Sequence, residues 1–68
     1  MEIRRLRHFL GLRQFDVAAA TGISVTRLSR AENDRIRLNS TERRSLDEFY
    51  KARLRILAEA GRDRVREA

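Results

Sequence analysis

Sixty-eight residues with no cysteine and no proline make one small domain, near the lower limit for folding alone, without disulfide staples or thiolate metal sites. Sixteen basic side chains, fifteen of them Arg, outnumber ten acidic ones and give a net charge of +6, which suits a polyanionic partner such as nucleic acid. A GC-rich genome would also favour Arg over Lys, so charge alone does not decide function. No apolar run is long enough to span a membrane, and the charged N-terminus from Glu2 onward argues against a signal peptide, so a cytoplasmic protein of the bacterial nucleoid with no membrane partner is expected. Few glycines and few aromatics alongside the missing proline point to an all-α chain.

In chain order, residues 2–10 predict a first helix, with Ile3, Leu6 and Leu10 on one face, Phe9 at its edge and Gly11 as the stop. His8, the one histidine, lacks a Ser, Cys or carboxylate constellation and reads as a surface or phosphate-facing group. Residues 13–21 predict a second helix. Its small and apolar residues (Phe15, Val17 and Ala18 to Ala20) allow close approach to another helix, and Asp16 supports a start that Arg13 caps poorly. Gly22 suits a left-handed turn, Ile23 drops into the core, and Ser24 is a good N-cap for a third helix over 24–33. That helix turns Leu28 and Ala31 inward and leaves Val25, Thr26, Arg27, Ser29, Arg30 and Asn33 on other faces. Short, basic and polar outside, it suits the DNA major groove. In the following loop Ile36 and Leu38 are expected beneath the domain, with Arg35 and Arg37 facing a phosphate backbone.

Residues 39–60 read as one continuous helix of about 20 residues, roughly 30 Å long, opened by a capping box of Asn39 with Glu42 or, alternatively, capped by Ser40. Its apolar residues spread over an arc wider than one core contact needs. Leu46 and Phe49 are expected to complete the domain core. Tyr50, at the boundary, is assigned with Arg53, Leu54, Ile56 and Leu57 to a dimer interface, Arg53 pairing there with an acid such as Asp47 or Glu59. The alternative is that the first helix fills the arc and the chain stays monomeric. Residues 61–68 either extend this helix or fray.

The stretch carrying Gly11, Leu12, Gln14, Val17, Ala18, Gly22, Ile23, Ser24, Leu28, Ser29 and Glu32 resembles the helix-turn-helix of the phage Cro and repressor (XRE-type) family, without a gap across 22 residues. The resemblance covers about residues 3–38. It implies a lambda-repressor-like all-α domain over 1–68, with its helix-turn-helix at 14–33; the long C-terminal helix read above, about 40–60 and assigned to dimerisation, departs from the family, which has two further short helices there. It also implies an ion pair between Arg7 and Glu32. The family's base-contacting positions fall on Val25, Thr26 and Arg30, with Arg27 and Ser29 flanking. Arg30 suits guanine O6 and N7, Thr26 can bond or touch a base edge, and Val25 suits a thymine methyl. Arg27 is open to bases or phosphate. Gln14, Ser24, Asn33, Arg35 and Arg37 are the expected phosphate contacts. Asp34 stands where the family commonly has Gly.

The function expected from this reading is a sequence-specific double-stranded DNA-binding regulator. It would be an autorepressor of a phage or mobile-element operon, bound as a homodimer to a palindromic operator and excluding polymerase. No cofactor, metal or small-molecule ligand is expected, and nothing in the sequence suggests an enzyme. The alternative is an antitoxin-like or other protein-interaction module whose long helix binds a partner protein.

Overall fold

The computed structural model describes the backbone of residues 2–67 and the side chains of residues 2–61. Within them lie four helices and no strand: α1 (Ile3–Phe9), α2 (Gln14–Thr21), α3 (Val25–Glu32) and α4 (Ser40–Glu67).

The ends of the first three helices follow from local chemistry. After α1, Gly11 takes φ +69°, and the N–H groups of Gly11 and Leu12 donate to the carbonyls of His8 and Arg7. This pair of bonds satisfies carbonyls that a helix C-terminus otherwise leaves free. At the start of α2 the Asp16 carboxylate accepts from the Arg13 backbone N–H at 2.9 Å, which is how an Arg in the cap position is tolerated. Gly22, at φ +78°, stops α2. Ser24 Oγ accepts from the Arg27 N–H at 3.1 Å and starts α3. At the end of α3, Asp34 adopts φ +58°, and the N–H groups of Asp34 and Arg35 bond back to the carbonyls of Ala31 and Arg30. An aspartate thus fills a left-handed position that favours glycine.

The core is small. Val17, Ile23, Leu28, Leu46 and Tyr50 are buried, and Ile3, Leu6, Leu10, Leu12, Leu38 and Phe49 pack around them half-buried. α2 packs against both α3 and α4. Ile36 is half-buried beside exposed Arg35 and Arg37. Phe9 and Phe15 are 67% and 70% exposed, so Phe15 lies off the packed face of α2.

α4 takes the longer of its two expected courses. Asn39 and Glu42 form a reciprocal capping box: the Glu42 N–H donates to Asn39 Oδ1 at 2.8 Å, and the Asn39 N–H to Glu42 Oε1 at 3.0 Å. From there the helix runs 28 residues, straight through Gly61. One glycine in a helix costs only about 1 kcal/mol relative to alanine and does not stop it without a competing cap. The buried residues of α4, Leu46 and Tyr50, lie in its first part, and every residue from Lys51 to Gly61 is exposed. At about 1.5 Å per residue α4 is about 42 Å long, close to the 46 Å long axis of the whole chain.

Candidate nucleic-acid interface

One buried carboxylate organises the side of α3 that faces the domain. The Glu32 side chain is wholly buried, and Arg7 meets it with a two-pronged pair: Nε donates to Oε2 at 2.8 Å and Nη2 to Oε1 at 3.0 Å. Gln14 Nε2 donates to Oε1 at 3.1 Å. Arg7 Nη1 also donates to the Leu12 carbonyl at 3.0 Å, tying down the loop before α2. Burial pushes the Glu32 carboxyl upward, but the Arg7 and Gln14 hydrogen bonds and the charges of Arg7 and Arg4 outweigh it and hold the group below the ordinary carboxylate value. The carboxylate thus fastens α1, α2 and α3 together and fixes the angle at which α3 is presented.

The opposite side of α3 is open. Val25, Thr26, Arg27 and Arg30 are exposed, and Ser29 is half-buried, whereas Leu28 and Glu32 are buried. α4 does not cover Val25, Thr26 or Arg30. Arg27 is engaged within the chain. Its Nε and Nη2 donate to the two oxygens of Glu42 at 2.8 and 2.7 Å. Asn33 is exposed; its Nδ2 donates to the Ser29 carbonyl at 2.9 Å and its Oδ1 accepts from Arg4. Gln14, half-buried, spends one amide N–H on Glu32 and keeps its second. Ser24, Arg35 and Arg37 are exposed.

The expected interface on α4 needs one correction. Tyr50 is 0% exposed and belongs to the core, packed beside Phe49 with ring centroids 5.6 Å apart. It falls on the arc one turn before Leu54, but the domain reaches far enough along α4 to enclose it. Its hydroxyl is buried and has no hydrogen-bond partner among the described residues. Burial, reinforced by the Glu32 charge and opposed by that of Arg7, pushes its pKa up to about 12. Arg53 lies over the Phe49 ring, 5.4 Å from its centroid. Leu54, Ile56 and Leu57 are 37%, 59% and 50% exposed. The sequence reading missed Glu42 as the partner of Arg27 and Arg4 as the partner of Asn33. Glu42 was legible as a cap, but nothing periodic joins positions 15 residues apart.

Two short helices joined by a left-handed glycine turn, with the second helix braced from behind and open in front, define a helix-turn-helix. The family described as Helix-turn-helix domain matches residues 1–64, and the chain belongs to it. No curated protein and no solved structure matches the chain. Helix-turn-helix domains of this kind bind DNA, and the family is typically non-enzymatic. No helix among the described residues is long and apolar enough to cross a membrane.

Proposed function

We propose that the chain is a sequence-specific regulator that reads double-stranded DNA through the outer side of α3. The observation that carries this reading is the two-sidedness of α3: Leu28 and Glu32 are locked inward, while Val25, Thr26 and Arg30 are exposed. Arg30 donates a fork of hydrogen bonds to guanine O6 and N7, Thr26 touches a base edge, and Val25 packs on a thymine methyl. The second amide N–H of Gln14, the hydroxyl of Ser24, Asn33, Arg35 and Arg37 meet phosphates on either side and set the register.

The chain acts as a homodimer joined by the free half of α4, through Leu54, Ile56 and Leu57 with Arg53 beside them. Two copies then place their α3 helices in successive major grooves of a palindromic operator, about 34 Å apart. Occupancy excludes polymerase, so the regulator represses, and its operon belongs to a phage or another mobile element. The exposure of residues 51–61 also fits a helix that captures a different protein. Light scattering on the pure protein distinguishes the two: a clean dimer supports self-association, and a monomer supports a separate partner.

The direct test is enrichment of DNA bound by the purified chain from a random pool. The expected result is a symmetric motif. Arg30→Ala should lower the ratio of motif to random-DNA affinity by about tenfold, as loss of one two-pronged base contact implies. An unchanged ratio would remove Arg30 from the reading surface.

A further inference from the structure

We infer that Glu42, at the start of α4, is a specificity-determining positioning residue that presets Arg27 to read a guanine. The inference rests on the DNA-binding reading above. A guanidinium presents its donors along two edges: a side edge made by Nε and one terminal nitrogen, and an end edge made by both terminal nitrogens. Glu42 occupies the side edge of Arg27 through Nε at 2.8 Å and Nη2 at 2.7 Å. The end edge, with N–H groups on Nη1 and Nη2, keeps the paired donors that suit O6 and N7 of guanine.

Exposure and anchoring agree on which partner faces out. The Arg27 side chain is 46% exposed and that of Glu42 17%. Glu42 is also fixed to the backbone, because it forms half of the Asn39 capping box that opens α4. The carboxylate is the anchor, and the long Arg side chain loses much of its freedom before DNA arrives, which lowers the ordering cost of binding. A carboxylate beside a duplex does nothing for general affinity, since it repels phosphate. Its use here is to aim the cation. Arg27 stands one turn before Arg30 on α3 and flanks Thr26, so its guanine lies beside the pairs those residues read.

The test uses the full chain and the motif enriched by the wild type, with each base pair of that motif varied in turn. Wild type, Glu42→Gln, Arg27→Ala and the double variant are compared, with circular dichroism as the check on folding. Gln at position 42 keeps the capping box and removes only the charged anchor. Glu42→Gln should lose about tenfold preference at one G·C pair per half-site, with random-DNA affinity unchanged or higher. Arg27→Ala should lose preference at the same pair. The double variant should lose no more there than Arg27→Ala alone, because Glu42 acts through Arg27. An unchanged base profile in Glu42→Gln would overturn the inference, as would a loss spread evenly over all sequences or losses that add in the double variant. A wild type that enriches no motif overturns the DNA-binding reading and this inference together; an enriched motif indifferent to Glu42→Gln overturns the role of Glu42 alone.

Discussion

Truncating Arg7 tests the energetics of the α1–α3 junction most sharply. Arg7 supplies two of the three hydrogen bonds to a carboxylate whose side chain is 0% exposed, and Gln14 supplies the third. Removing one partner of a buried ion pair costs about 3–5 kcal/mol. Arg4 Nε, 4.0 Å from Glu32 Oε1, offers partial compensation, so the lower end of that range, about 3 kcal/mol, applies. At roughly 0.05–0.15 kcal/mol per residue a chain of this size has on the order of 3–10 kcal/mol in total. Arg7→Ala should therefore lower the melting temperature by more than about 12 °C, read by far-ultraviolet circular dichroism at pH 7. The pH dependence has a definite sign. The folded-state pKa of Glu32 is lowered, so its contribution is present above the unfolded value near 4.5 and is lost as pH falls through the lower folded value. The gap between wild type and Arg7→Ala should narrow below that pH, where a protonated Glu32 no longer strands a charge. Replacing both partners with apolar residues, Arg7→Met with Glu32→Leu, should recover most of the loss. An Arg7→Ala variant within about 0.5 kcal/mol of wild type, the scatter of ordinary surface substitutions, would refute the reasoning.

Further outcomes follow from three other sites. Tyr50→Phe removes a buried hydroxyl that lacks a partner among the described residues, so stability at pH 7 should hold or rise by up to about 1 kcal/mol; a loss of that size would reveal a partner for the hydroxyl. The Tyr50 contribution is complete below its unfolded pKa near 10 and declines as pH rises toward about 12, so Tyr50→Phe should resist alkaline unfolding better than wild type. Asp34→Gly relieves a left-handed aspartate at φ +58° and should stabilise by about 0.5–1 kcal/mol in urea titrations, whereas destabilisation would mean that the aspartate side chain supports the turn. If the chain dimerises through α4 as proposed, Leu57→Asp should give monomers in light scattering without loss of helix near the core, and a persistent dimer would place the interface elsewhere.

The front half of the chain was legible because its signals are local. Gly11, Gly22 and Ser24 each act on their immediate neighbours, and each ends or starts a helix within a residue or two of where the spacing put it. The Arg7–Glu32 pair came only from the family resemblance, since no rule of sequence spacing joins residues 25 apart. Two features were hidden. The apolar arc of α4 runs on without a break, and where the domain stops covering it depends on how far α4 slides along α2, so periodicity alone does not show that Tyr50 falls inside the core. The tie between Arg27 and Glu42 depends on the path of the loop from Asn33 to Asn39, which propensities do not specify. Phe15 shows the converse: an apolar residue in a small-residue stretch that faces outward because Val17 takes the inward position.

The half of α4 beyond Tyr50 has its helical order underwritten by the other half. Starting a helix is the unfavourable step, and each later turn grows cheaply from one already formed. The docked turns around Leu46 and Tyr50, with the Asn39–Glu42 cap behind them, supply that starting point. Loosening the core at Tyr50 would therefore be felt two turns farther on, at the half-exposed Leu57.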